Sequence, residues 1–345
     1  MEKKITIYDL SRILGIAPST INRAIYGKPR VSEKTRQMVL EAAEKYGFKP
    51  NQAAKSLSRK PIKIGLIANS DVPAYHNELL RGVYAASDEL SDFNVALDYY
   101  MPVRPMHLRR LEILDKMEEM AAQGISGIII QHTQDTRGYC KIISGLKEKG
   151  IPVVTIVSDI EGCQRIFNVR VNGWVAGRMA AELLSRFMRR NTCAIFTGFK
   201  DVAIHAETAD GFIDGMKCTS NTIIGFYECQ DDPEIAYFMA DKLLNEHPDI
   251  GGVYINSSNS ASICKKIKEK GYAGRLSVVA SDIFPELADY IEEGVVQASI
   301  FQDPFQQGYL AFRNLYEFIA GSKEGGGEIL IKPQIIIKSN LDLFR

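Results

Sequence analysis

Residues 6–24 read Thr6-Ile7-Tyr8-Asp9-Leu10-Ser11-Arg12-Ile13-Leu14-Gly15-Ile16-Ala17-Pro18-Ser19-Thr20-Ile21-Asn22-Arg23-Ala24. Apolar residues at 7, 10, 13 and 14 follow helical spacing, with Thr6 as N-cap and Gly15 as a left-handed stop. Only Ile16 and Ala17 separate this helix from a second, which opens at Pro18, where a missing N–H breaks no helical bond. It runs to Tyr26 and stops at Gly27, with Ile21, Ala24 and Ile25 facing inward and Ser19, Thr20, Asn22 and Arg23 outward. A third amphipathic stretch, 32–46, carries Val39, Ala42, Ala43 and Tyr46 on one stripe and ends at Gly47. Two short helices joined by a glycine turn, the second polar outside, predict a helix-turn-helix whose second helix enters a DNA major groove. Any other three-helix bundle would give the same periodicity.

Charge supports the DNA reading. Residues 1–60 hold thirteen Lys/Arg against five Asp/Glu, a formal +8, whereas the other 285 residues hold 29 against 37, a formal −8. A basic module of this kind gains affinity for a polyanion by releasing its counterions, and an acidic body adds no unspecific adhesion. A disordered basic tail would have the same composition. Beyond the three helices, Asn51 can cap a short Ala-rich helix over 51–60 that is too short to persist alone in water. Leu57, between Lys55 and Arg59, is then either a wedge for a minor groove, ordered only on DNA, or part of a solvated linker.

At 345 residues the chain suggests two or three domains. Six cysteines are scattered without a CxxC pair or a Cys/His cluster, so reduced thiols are expected and no metal. The start, MEKKITIYDL, lacks an apolar signal core, and no apolar stretch approaches the ~20 residues of a membrane span, so a cytoplasmic protein without a membrane partner is expected.

Several stretches now acquire a family likeness. Ile5–Leu10, Gly15-Ile16-Ala17, Ser19–Ala24, Val31–Arg36, Pro50-Asn51 and the hinge Ala53-Ala54-Lys55-Ser56-Leu57 resemble the headpiece of the LacI (lac repressor) family, without a gap over about sixty residues. That resemblance implies a homodimer, or a tetramer, on a near-palindromic double-stranded operator, with paired hinge helices opening its central minor groove. By position it assigns base reading to Pro18, Ser19 and Arg23, phosphate contacts to Thr6, Thr20 and Asn22, and hinge contacts to Ala54 and Leu57. Two departures matter: Ala17 stands where many members carry Ser, and Pro18 can offer a base only apolar contact. Arg23 is left to read guanine, with roughly 1–3 kcal/mol of discrimination.

From Pro61 the pattern changes to alternating strands and helices. Residues 63–68, 94–98, 127–131, 153–157, 194–197, 222–227, 252–256, 278–281 and 298–301 read as short buried strands, with helices such as 79–90, 108–123 and 173–188 between them. Such β–α repeats predict parallel sheets covered on both faces, and the number of strands predicts two lobes. No GxGxxG after a strand, Walker A, HExxH or GxSxG occurs, so neither an enzyme nor a cofactor is expected.

The body also resembles the type I periplasmic-binding-protein fold, through Leu80–Val83, Gly177–Ala181, Asp210-Gly211-Phe212, Val278–Asp282 and Gln302-Asp303-Pro304. The fold class expected is thus an all-α helix-turn-helix domain (1–50), a hinge (51–60) and an α/β two-lobed periplasmic-binding-protein-like domain (61–345). The resemblance implies three lobe crossings, near 168–170, 300 and 328. Lobe one then comprises about 61–168 plus 301–328, and lobe two about 169–300 plus 329–345. It further implies a small effector, a sugar or sugar derivative, held between the lobes.

Sugars require planar polar side chains for their hydroxyls and an aromatic for their C–H faces, at the carboxyl ends of strands. Asp71, Tyr75 and His76 after the first strand meet this description, as do Asn256 and Asn259 after another and Gln302 at a crossing. Asp282 stands at the family's sugar-binding acid. Each polar residue could equally cap a turn. Ala206 stands where many members carry an Arg, with His205 beside it, and Asn172-Gly173 replaces the usual Asp-Asn pair, so Asn172 and His205 are retained as candidates but no sugar specificity transfers. The expected function is an effector-controlled transcription regulator, a repressor of sugar uptake or catabolism. Alternatives are a transport solute-binding protein, a regulator answering a nucleobase or other non-sugar, an enzyme on the same scaffold, or a DNA-architectural protein without effector.

Overall fold

The structure, a computed structural model, describes residues 5–25, 27, 29–48, 60–69 and 71–344. The headpiece and the body form separate compact units. In the headpiece, α1 (Ile7–Leu14), α2 (Pro18–Ile25) and α3 (Glu33–Lys45) begin and end where the sequence signals require. Thr6 and Asp9 form a reciprocal capping box, Thr6 Oγ1 accepting from Asp9 N at 3.2 Å and Asp9 Oδ2 from Thr6 N at 3.0 Å. Gly15, Gly27 and Gly47 all adopt positive φ, 64–67°, as helix stops. Leu10, Ile21, Ala24, Val39 and Ala42 form the core. Ile13 and Tyr46, placed on inner stripes by spacing, are instead exposed at the last turns of their helices.

The body opens with β1 (Ile62–Ile67), α4 (Pro73–Glu89), β2 (Val95–Tyr100), α5 (Met106–Ala122), β3 (Gly127–Ile130), α6 (Tyr139–Glu148), β4 (Val153–Ile156) and β5 (Phe167–Val171). There follow α7 (Gly173–Phe187), β6 (Thr192–Thr197), α8 (Ala203–Lys217), β7 (Thr222–Glu228), α9 (Pro233–Glu246), β8 (Gly252–Ile255), α10 (Ser260–Glu269), β9 (Ser277–Ser281), α11 (Pro285–Glu292) and β10 (Ala298–Phe301). The chain closes with α12 (Pro304–Ile319), β11 (Glu328–Ile331) and β12 (Gln334–Ile336). Two six-stranded sheets result, ordered β11-β5-β4-β3-β1-β2 and β12-β10-β9-β8-β6-β7. All neighbours pair in parallel except β12, which runs antiparallel to β10. Both faces of the second sheet are buried: on β8, Val253 and Ile255 pack into one cluster while Tyr254 packs into the other. Such strands read as continuous apolar runs, which is why they were legible in the sequence.

Three corrections concern the crossings and the cysteines. The chain leaves the first sheet at Asn172, returns at 302–303 and leaves again at 332–333, so each crossing lies a few residues beyond the expected position. Phe167–Val171, where the resemblance implies the first crossing, is instead a strand of the first sheet although Asn168 and Arg170 interrupt its apolar residues. Asn168 is in fact buried, its Nδ2 donating to Thr155 Oγ1 (2.9 Å) and Ser158 O (3.1 Å), and Arg170 is ion-paired to Glu207 and Glu328. The cysteines are not all reduced: Cys140 and Cys163, 23 residues apart, form a disulfide. Nothing in their spacing pointed to it, because the approach is made by the loop that follows β4. Of the others, Cys193, Cys229 and Cys264 are buried and Cys218 is exposed. Among the described residues, no helix is long and apolar enough to cross a membrane.

Candidate functional site

On α2 of the headpiece, Ser19 and Arg23 are exposed and Pro18, Thr20 and Asn22 are half-buried, while Ile21 and Ala24 reach the core. The apolar residues of α2 thus fix which of its side chains face outward. Thr6 is less free than expected, because its hydroxyl also donates to Asp9 Oδ2 at 2.6 Å. Ala54 and Leu57 lie outside the described residues.

The body holds a cavity of about 490 Å³ walled from both lobes. Every wall segment is the carboxyl end of a strand or the helix turn after it, where α/β sheets present loops to ligands. Asp71, Tyr75, His76, His205, Asn256, Asp282 and Gln302 all line it. Two candidates do not. Asn172 caps α7, its Oδ1 accepting from Val175 N at 3.0 Å, and Asn259 is buried beside the cavity without facing it. Additional wall residues are Arg109, Gln131, His132, Ser158, Asp159, Phe199, Asp201, Asp231 and Phe284. Most of them follow strands that were recognised, so extending the strand-end rule to every strand would have found them.

Backbone strain concentrates here. Among the described residues, seven non-glycines have positive φ, and Val157, Gln230, Asp231 and Asp282 of that set line the cavity. Left-handed backbone at such residues persists only where surrounding structure enforces it.

Asp282 is buried and anchored by the crossing loop: its Oδ1 accepts from Gln302 N (3.0 Å) and its Oδ2 from Gln302 Nε2 (2.7 Å). Burial nonetheless pushes its pKa up to about 7. Tyr75, whose Oη accepts from Gln307 Nε2 at 2.8 Å, is raised well above the usual phenol value, first by burial and then by the field of Asp282. His205 and Asp231 face each other across Gly198, where an added Cβ would meet Asp231 Oδ1 at 2.3 Å and His205 Cε1 at 2.4 Å. Burial lowers the imidazole and raises the carboxyl, so desolvation opposes the charge pairing between them. Arg109 bonds Asp71, and Asp159 is held below the usual carboxylate range, burial being outweighed by Arg165 and Thr155. Asn256 donates its Nδ2 to His205 O (3.0 Å) and Thr208 Oγ1 (2.9 Å), which leaves Oδ1 without a partner. Ser158 Oγ, on the other lobe, is likewise buried and unpartnered. Buried polar atoms of this kind are normally satisfied by ligand or water. The wall therefore offers many hydrogen-bonding groups, with Tyr75, Phe199 and Phe284 as aromatic surfaces.

Residues 64–323 match the periplasmic binding protein domain family, and residues 6–51 match the bacterial regulatory proteins of the lacI family. The chain belongs to the periplasmic-binding-protein family and carries a lacI-family headpiece. Catabolite control protein A of Priestia megaterium is 25% identical over 209 residues, 60% of each chain. The sucrose operon repressor of Streptococcus mutans is 29% identical over 183 residues, 52% of this chain and 51% of that one. The chain thus matches about half to three fifths of the length of these curated relatives. Among solved structures, GanP, a glucose-galactose binding protein from Geobacillus stearothermophilus, matches with a TM-score of 0.74 at 26% identity, covering 82% of this chain and 99% of GanP.

Proposed function

We propose that the chain is an effector-responsive DNA-binding transcription regulator, a repressor of genes for sugar uptake or catabolism, acting in the cytoplasm as a homodimer on a near-palindromic operator. The observation that carries this reading is the union in one chain of a lacI-family helix-turn-helix, with Ser19 and Arg23 exposed on its second helix, and a body whose interlobe cavity is walled by polar and aromatic side chains. Similarity to a sucrose operon repressor and to a glucose-galactose binding protein supports a carbohydrate effector. A transport role is disfavoured by the headpiece, which solute capture does not need. The curated relatives compared are regulators rather than enzymes.

A ligand can change DNA affinity only through its different affinity for two states of the protein. A cavity walled from both lobes supplies such a difference, because a ligand that bonds both walls favours the closed arrangement. The test begins with selection of bound sequences from random DNA, followed by anisotropy titrations with and without a panel of mono- and disaccharides. Arg23→Ala should abolish preference for the selected operator and leave a salt-dependent residual affinity. Preference surviving intact in that variant would remove α2 as the reading helix.

A further inference from the structure

We propose that the cleft selects its carbohydrate by charge: it takes an uncharged or amino sugar and refuses sugar acids and phosphates, with Asp231 setting the preference. This inference rests on the carbohydrate reading of the cleft given above and specifies its ligand. Among the described residues, five carboxylates line the cavity, those of Asp71, Asp159, Asp201, Asp231 and Asp282, against a single guanidinium, that of Arg109; Asp159 is matched by Arg165 behind the wall, and Asp71 and Asp201 are exposed. The Arg109 charge is already matched by Asp71, and no lysine among the described residues contributes to the wall. Burial holds the three wall histidines toward the neutral form. An anion entering here would meet the half-buried Asp231 and the buried Asp282, with no unpaired cation among the described wall residues to receive it.

Hydrogen-bond chemistry points the same way, and independently of charge. Asn256, 4% exposed, has its amide orientation fixed by the two bonds from Nδ2, so its open group is an acceptor. Asp231 is half-buried, stands on two successive left-handed residues (φ 54° and 52°), and receives no hydrogen bond from any described residue. The Asp71 carboxylate on the other lobe adds its negative field to Asp231. At these two positions the group left open to a ligand is therefore an acceptor. A sugar hydroxyl supplies one and an ammonium three, whereas an ionised carboxylate or phosphate ester oxygen can only accept. An ammonium would also offset the negative field that Asp71 adds at Asp231.

The experiment is isothermal titration of the full chain with matched sets: glucosamine, glucose and glucuronate; galactosamine, galactose and galacturonate; and glucose 6-phosphate. In the set that binds, the acid is expected at least 100-fold weaker than its neutral parent and the amine equal or tighter. Asp231→Asn, isosteric at this position, should weaken the amine at least tenfold while changing the neutral sugar less than threefold. The wild-type ranking stands without the variant should that chain fail to fold. An acid or phosphate binding as tightly as its neutral parent would overturn the inference and leave the carbohydrate reading in place, as would an Asp231→Asn chain with an unchanged ranking. A panel in which nothing binds would overturn the carbohydrate reading and this inference together.

Discussion

Asp282 combines a left-handed backbone (φ 59°), nearly complete burial and two hydrogen bonds from Gln302. Its pKa near 7 in the folded chain compares with about 3.9 in an unfolded one. The folded state therefore keeps a proton that the unfolded chain releases. The resulting stabilisation is complete below about pH 4 and is lost as pH rises through 7. At roughly 1.4 kcal/mol per unit, wild type should lose on the order of 4 kcal/mol relative to Asp282→Asn between those limits. His76, His132 and His205, lowered by burial, work in the opposite direction in both chains and cancel in the difference. Urea melts of both proteins at several pH values give it directly, and a difference that stays flat with pH would contradict the assignment. Asp282 was legible in the sequence because an acid directly follows an unmistakable strand. Asp231 was not: in Gln230-Asp231-Asp232-Pro233 the obvious reading is a helix cap, and Asp232 does cap α9, accepting from Glu234 N (2.7 Å) and Ile235 N (3.0 Å). What turns its neighbour into the cleft is backbone conformation, which residue type alone does not encode.

Each lobe is braced by one pair of helices in backbone contact. In the first, an added Cβ at Gly82 of α4 would stand 1.9 Å from Phe305 O, and one at Gly308 of α12 would stand 2.0 Å from Leu79 O. In the second, Gly177 of α7 faces Thr208 O at 2.0 Å and Gly211 of α8 faces Trp174 O at 2.2 Å. The obstructing atoms are main-chain oxygens, so no side-chain rotation relieves the clash and the helices themselves must separate. Gly211→Ala should therefore lower stability by about 1–3 kcal/mol, and because α8 carries His205 and Thr208 it should also weaken the effector. Gly145→Ala in α6 is the control: its Cβ would meet nothing within 4 Å, and alanine should be neutral or stabilising by up to about 1 kcal/mol. Thermal melting of the two variants separates packing from helix propensity, and equal effects would refute the packing argument. Gly82, Gly177 and Gly211 were visible in the sequence only as fragments of a family likeness, and Gly308 not at all; their role depends on which helices cross. Strands β11 and β12 went unrecognised for a related reason. Each is short and half-exposed at a sheet edge, so neither forms the buried apolar run that betrayed the central strands.

At the scale of the whole molecule, one segment of the first lobe is rich in exposed apolar residues. Met101, Val103, Met106, Leu108 and Leu111 are 40–76% exposed within eleven residues that span the loop after β2 and the start of α5. Isolated exposed apolar residues are ordinary, but a run of this density on one segment marks an interaction surface. A second copy of the chain is the occupant that the proposed palindromic operator requires, since two headpieces on one duplex need their bodies joined. On the proposed dimer, the +8 of residues 1–60 would give each headpiece only a salt-sensitive grip on phosphate, and most operator affinity would come from linking two such grips. The double variant Val103→Glu/Leu111→Glu places like charges opposite one another across a two-fold contact while sparing Met106, which also lines the cleft. Sedimentation should show wild type as a dimer and the variant as a monomer, with effector affinity unchanged. Affinity for the full operator should fall at least 100-fold, whereas affinity for an isolated half-site should not change. A variant that remains dimeric would move the interface elsewhere. A monomeric variant that keeps full operator affinity would instead remove the premise that two headpieces act as one unit.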